Sequence, residues 1–201
     1  MSSRIEPHQI DNIGAYLRYT DVIDYRNHAV ALLAGAVEGD DKTDTVRRAF
    51  EMVRDRYPHS CDVGQESVAC TAFDVIRLGH GLCLAKSHLL AALLRYHGIP
   101  TGFCYERVRR DAEGFVLHGF NAVILDGHWL KIDARGNNSR TQVHFSLTRP
   151  MLAYPPDASA GETVFPGIHP DPSPAVIRIL QAGPDVSSVI RSLPGDLPPY
   201  D

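Results

Sequence analysis

The sequence has no long apolar run. Nothing in its 201 residues approaches the roughly 20 consecutive apolar residues that a membrane-spanning helix needs. It has no basic stripe either. Twenty Lys and Arg are set against 24 Asp and Glu, with both signs mixed along the chain. That mixture argues against nucleic acid or an anionic membrane as a partner. The opening residues, Met1-Ser2-Ser3-Arg4-Ile5-Glu6-Pro7, lack the apolar core of a signal peptide. The expected compartment is therefore the cytoplasm. Cysteine is scarce: Cys61, Cys70, Cys83 and Cys104 are the four present, and in a reducing compartment they should be thiols. No CxxC or HExxH pair occurs, which leaves a structural or protease-type zinc site without support. Internal repeats are absent, as is any acidic loop of the EF-hand kind. What remains is an ordinary globular composition, 44% apolar and 22% charged, enough for one domain with a sizeable core.

The informative stretch runs from Gly79 to Leu94. Two glycines bracket a turn, then Leu82 to Leu94 is interrupted only by Cys83, Lys86, Ser87 and His88. Ala and Leu are strong helix formers, and a helix apolar on nearly all sides belongs in the middle of its domain. Cys83 falls in the first turn, where backbone N–H groups lack partners and the helix end carries partial positive charge. Both favour a thiolate. The bland alternative is a cysteine packed as a small hydrophobe.

Around this helix the pattern is legible. Residues 1–24 read as irregular structure leading into a helix over Tyr25–Val37. A second helix, capped by Thr43, Asp44 or Thr45, buries Val46, Ala49, Phe50 and Val53 and stops at Pro58. Tyr57 to Gln65 reads as a loop. A third helix, capped by Ser67, ends at Gly79. The Cys83 helix stops at His97-Gly98, with Pro100 beyond. Strands follow over Thr101–Arg109, Phe115–Leu125, Trp129–Ala134 and Thr141–Leu147, with a loop over Arg110–Gly114. Eleven of the fourteen prolines lie between Pro150 and Pro199, which excludes regular sheet there. That segment reads as an extended tail with short helices after Ser173-Pro174 and over Asp185–Leu193. Phe165, Val176, Ile177 and Leu180 are its expected anchors.

Asp126-Gly127 between two apolar strands is a strong hairpin signal. Centring the turn there pairs Leu125 with His128 and sets Phe120 opposite Asp133, so His118 becomes a diagonal neighbour of Asp133 on the same face. A slip of one residue would separate them. Asp133 sits among Leu130, Ile132 and Ala134, a costly place for an unpaired carboxylate. Its available partners are His118, Arg135 or Lys131, or solvent. A Cys at a helix start, a His on one strand and an Asp on the next match the logic of nucleophile, base and orienter.

Gly81-Leu82-Cys83, the Leu89–Leu94 helix, Gly98-Ile99-Pro100, His118 and Gly127-His128-Trp129-Leu130-Lys131-Ile132-Asp133 together resemble the transglutaminase-like superfamily over roughly Tyr57–Gly136. The resemblance implies an α+β, papain-like fold in which a buried Cys-bearing helix packs on an antiparallel sheet. With the proline distribution, the expected division is a catalytic domain over 1–149 and a Pro-rich extension, 150–201, packed on that same domain. The resemblance implies Cys83 as nucleophile, His118 as general base and acid, and Asp133 as orienter. The chain departs from the family at Gly119-Phe120, where many members have Ala-Trp, and at Arg135, where many have Thr or Ser. Animal cross-linking enzymes of the family are larger and calcium-dependent, so small bacterial and archaeal members are the better analogy. The implied chemistry is acyl transfer at an amide: hydrolysis of a peptide or small amide through a thioester, with no cofactor and no metal. A glutamine–amine acyltransferase is the enzymatic alternative. A non-catalytic binding module is the other, although decayed members should lose a triad residue. The oxyanion donors would be the Cys83 N–H and a side chain from the preceding loop, His59 or Gln65. His80 is placed beside the site by adjacency, and Cys61, Cys70 and Cys104 are assigned to packing.

Overall fold

A computed structural model describes residues 12–110 and 114–200. The first part of the expected irregular opening and the middle of the Arg110–Gly114 loop lie outside the described residues. Six helices are described: α1 (His28–Ala36), α2 (Lys42–Arg56), α3 (Ala72–Leu78), α4 (Cys83–Tyr96), α5 (Pro174–Ala182) and α6 (Val186–Ser192). Four strands, β1 (Thr101–Arg109), β2 (Phe115–Leu125), β3 (His128–Ile132) and β4 (Thr163–Val164), form one antiparallel sheet in the order β3-β2-β1-β4. No helix among the described residues is long and apolar enough to cross a membrane.

Helix α4 is the axis of the core. Every residue from Leu84 to Arg95 is buried. Leu89, Leu90, Leu93 and Leu94 have no exposed surface, and each contributes about 1.5–3 kcal/mol of burial. Its polar residues are matched one by one, as burial requires. Lys86 Nζ donates to the Arg135 carbonyl at 2.8 Å, Ser87 Oγ to the Leu84 carbonyl at 2.6 Å, and His88 Nδ1 lies 2.6 Å from the Cys70 carbonyl. At the other end the Arg95 guanidinium donates to the carbonyls of Thr101, Arg18 and Pro170.

Two caps differ from the sequence expectation. Helix α2 is capped by Asp41, whose Oδ1 accepts from Asp44 N at 2.8 Å. Thr45 instead donates to the Asp41 carbonyl and accepts from Gly39 N. Helix α3 is capped by Thr71 rather than Ser67. Thr71 and Asp74 form a reciprocal capping box, which satisfies two helix-end donors where a lone serine satisfies one.

The β2–β3 hairpin has the expected register, Leu125 with His128 through Asn121 with Ile132. Asp126 and Gly127 both have positive φ, 49° and 77°, the turn geometry that matches the twist of a two-residue hairpin. Strand β3 ends at Ile132, short of Ala134, because the backbone N–H of Arg135 turns back to the Asp133 carboxylate. No strand forms over Thr141–Leu147. Asn137 and Asn138 take its donors: Asn138 Oδ1 accepts from Arg140 N and Thr141 N, and Asn137 Oδ1 from Val143 N. Asparagine side chains compete with a ladder in this way.

The two sheet faces are different. Phe103, Tyr105, Leu117 and Val123 join the main core around α4. Cys104, Phe120, Ala122 and Trp129 form a smaller cluster with Tyr16 and Ile168 on the other side. His118 shares the parity of Phe120 and Ala122. Gly119 faces α4, and a Cβ there would lie 2.6 Å from Leu84 Cδ2. Its bare backbone therefore lets the first turn of α4 rest directly on β2 next to His118.

Contrary to the expectation of no sheet in the proline-rich tail, Thr163-Val164, a stretch without proline, pairs as a two-residue strand on the outer edge of β1, and the tail adds two helices to the core. Val176, Leu180, Val186 and Val189 are buried, whereas Phe165 and Ile177 pack on the core from partly exposed positions. Those four buried side chains contribute together about 6–12 kcal/mol, comparable to a domain's whole net stability. A chain ending at Leu147 is therefore expected to lose its cooperative thermal transition in circular dichroism. A sharp transition within a few degrees of the full chain would show that the tail is dispensable for folding.

Candidate active site

Cys83 opens α4, and Leu82, its N-cap residue, offers no side-chain cap. The free N–H groups of the first turn are thus left for another acceptor. The preceding loop is pinned beside them. Gly81 N donates to the Pro58 carbonyl and Ser60 N to the Gly81 carbonyl, so His59 and Gly81 run side by side as a short parallel bridge.

His118, on β2, is buried, with 3% of its surface exposed. Its Nε2 lies 2.9 Å from Asp133 Oδ2. The same Asp133 oxygen accepts from Ala153 N at 2.8 Å, and Oδ1 accepts from Arg135 N at 3.0 Å. The imidazole is flanked by Tyr154, edge-on at 5.0 Å, and by Phe120, stacked at 6.3 Å. Nε2 is engaged by Asp133, which leaves Nδ1 as the ring nitrogen for Cys83.

The electrostatics follow from this packing. Burial alone would raise the Asp133 carboxyl, but the His118 charge and three hydrogen bonds hold it below the usual carboxylate range. Burial alone would keep His118 neutral, yet the anions at Asp133 and Cys83 raise it well above an ordinary histidine. Burial opposes the Cys83 thiolate. The His118 charge, with hydrogen bonding from His118 and then His59, outweighs it and holds the thiol well below its ordinary value. The three groups therefore favour a thiolate, an imidazolium and a carboxylate in sequence.

Cys83 and His118 open on a cleft of about 460 Å³, which His59, Cys61, Arg109 and Tyr154 help to line. His59 is buried and stands against the Cys83 sulfur. Gln65 is exposed and does not line the cleft; its backbone N–H donates to the Ser60 carbonyl. His80 is buried away from the cleft between Ser60 Oγ and Ser67 Oγ, at 2.9 and 3.3 Å, where it braces the loop. Cys70 and Cys104 are packed in the core, whereas Cys61 is exposed on the cleft.

Several contributors escape sequence reasoning. Ala153 N–H and the Tyr154 ring come from the proline-rich tail, as do Ile190 and Leu193 in the cleft wall. Lys86, one turn into α4, ties that helix to the Arg135 carbonyl just past Asp133. Its burial was readable from the apolar run; its partner was not.

The family model of the transglutaminase-like superfamily matches residues 31–134, just over half of the chain. The chain belongs to that superfamily. No curated protein matches it. Among solved structures, it is similar to a "putative cysteine protease" from Cytophaga hutchinsonii at 19% identity and a TM-score of 0.52, over 67% of this chain and 46% of that one. A structure described as a TGase overlaps at 17% identity and a TM-score of 0.44, over 72% of this chain and 37% of that one. The chain thus spans less than half the length of either. The first of these likenesses carries the α+β transglutaminase-like fold and nothing finer.

The two departures from the family pattern have local reasons. A Cβ at Gly119 would lie 2.6 Å from Leu84 Cδ2, so an alanine there would require that leucine side chain to shift. Arg135 stands where many members have a small hydroxyl residue and lines the cleft, its guanidinium paired with Asp62 and donating to Tyr154 Oη at 3.0 Å. In this transglutaminase-like site the thiols should separate by reactivity, because only the thiolate is alkylated. Burial pushes Cys70 up to about 11 and Cys104 up to about 12. Cys61, although exposed on the cleft, is also raised, by partial desolvation from the surrounding protein and then by the Cys83 charge. Limiting iodoacetamide at pH 6 is expected to label Cys83 first, read by peptide mapping, and His118→Ala to slow that labelling at least tenfold. Faster labelling of Cys61, or no effect of His118→Ala, would contradict an activated Cys83.

Proposed function

We propose that this chain is a cysteine hydrolase that cleaves a peptide or small amide through a thioester. The observation that carries the proposal is the buried His118, held by Asp133 at 2.9 Å and set against a Cys83 whose thiol is lowered. The Cys83 thiolate attacks the amide carbonyl carbon and a C–S bond forms. The oxygen takes the negative charge and is met by the Cys83 N–H at the helix start and by the His59 ring. His118, protonated, gives its proton to the leaving nitrogen as the C–N bond breaks. Water then attacks the thioester, His118 accepts its proton, and C–S cleavage returns the thiolate. Asp133 holds the ring in one orientation and favours its charged form.

Water rather than a lysine amine is the favoured acceptor for an electrostatic reason. Arg109 and Arg140 line the cleft together with the Asp62-paired Arg135, and no Asp or Glu among the described residues lines it. An approaching ammonium would meet like charge.

Release of free carboxylate and amine from a library of peptides and simple amides tests this. Turnover is expected in the native chain, with none in Cys83→Ser. An added primary amine should not divert most of the product into a new amide. Asp133→Asn should fold normally by circular dichroism and lose at least about a hundredfold in kcat, since an amide cannot stabilise the imidazolium. Near-native turnover in that variant would reduce Asp133 to a structural residue, and dominant amide formation would replace hydrolysis by acyltransfer.

A further inference from the structure

One buried group near Cys83 has no part in the chemistry above. Glu106 lies on β1 directly opposite His118 in the β1–β2 register. It has no exposed surface. Its Oε1 is 3.9 Å from His118 Nε2, beyond hydrogen-bond length but well within Coulomb range. Neither of its oxygens has a hydrogen-bond partner among the described residues. A buried carboxyl without partners is costly and needs an explanation, because an apolar residue would fill this strand position at no such cost.

We infer that Glu106 is a positioning residue for His118, which keeps the imidazolium charged at alkaline pH by ionising beside it. The inference rests on the proposed role of the Cys83–His118 pair. The charged and titratable groups that act on Glu106 are His118 on β2, Asp133 after β3, Cys83 at the start of α4 and Glu162 before β4. Burial raises Glu106, the His118 charge lowers it, and the anions at Asp133, Cys83 and Glu162 raise it again, leaving it near 8. At neutral pH it is therefore the neutral acid. Asp133 is then the one carboxylate on the ring, and the Nε2–Oδ2 bond meets no rival.

As pH rises, loss of the Glu106 proton places a second anion beside the ring. Opposite charges 3.9 Å apart in a buried site attract strongly and are little screened by salt. That attraction opposes loss of the ring proton, so the imidazolium outlasts what Asp133 alone would sustain. Glu106, His118 and Asp133 also place three possible ligand atoms within 4.8 Å of one another. Within that trio only His118 Nε2 and Asp133 Oδ2 are hydrogen-bonded to each other, and Glu106 acts on the ring through its charge alone.

The test is the pH profile of Cys83 alkylation by iodoacetate, which needs no substrate. This anionic reagent reacts with the thiolate and is drawn in by the imidazolium, so its rate rises as Cys83 ionises and falls as His118 loses its proton. Glu106→Gln is expected to leave the acidic limb in place and to move the alkaline limb down by at least one pH unit. Glu106→Asp should recover part of that shift. A merely structural role would alter melting temperature and leave the limb unmoved, and an unmoved limb overturns the inference. Should Glu106→Gln fail to fold, carbon-13 NMR of glutamate carboxyls in the native chain gives the same answer. One carboxyl should titrate between about pH 7 and 9 in step with a His118 ring signal, and the absence of any such carboxyl overturns the inference. Failure of the hydrolase reading looks different: the native chain itself would then show a single ordinary thiol titration with no alkaline limb.

Discussion

A buried carboxyl group that is to stay ionised at neutral pH is stabilised by donors, and Asp133 is surrounded from three directions. His118 reaches it from β2, Arg135 N from the turn that follows it, and Ala153 N from the proline-rich tail. Removing any one would leave a charge short of a partner in a low-dielectric interior, a loss of several kcal/mol. That requirement ends β3 early, fixes the imidazole and draws residues outside the matched family segment, 31–134, into the site. The tail is thus a structural part of the centre, through one backbone N–H and one tyrosine ring.

The same logic extends to the helix. Lys86 is buried one turn after Cys83, and its ammonium finds the Arg135 carbonyl, two residues past Asp133. Burial pulls this lysine down to about 7. The bond ties the Cys83 helix to the Asp133 segment. Gly119 ties the same helix to β2 by removing a side chain that would strike Leu84. A polar clasp and an apolar close approach therefore hold the sulfur, the imidazole and the carboxylate in relation. Neither involves the three groups themselves.

The arginines give the cleft a character that net charge conceals. The chain carries −4 overall, yet among the described residues four arginines and no Asp or Glu line the opening. Arg135 is partly neutralised by Asp62, and Arg109 stacks on Phe115 while donating to the Ala160 carbonyl. Local placement, not the sum of charges, sets the field a substrate meets.

The sequence alone specified the features that rest on local chemistry. The apolar run from Leu82 to Leu94 dictated a buried helix with a cysteine at its start, and Asp126-Gly127 dictated the hairpin whose parity sets His118 beside Asp133. Period and turn type are properties of adjacent residues, so they survive without tertiary context. The expected strand at Thr141–Leu147 failed because Asn137 and Asn138 side chains captured the backbone donors, a competition that β-propensity does not weigh. Gln65 and His80, offered by proximity in sequence, point elsewhere, while Ala153, Tyr154 and Glu106 enter from segments without a motif. Those placements depend on contacts between residues far apart in the chain. Only the folded chain decides them, because burial and register act across the whole core rather than along one segment.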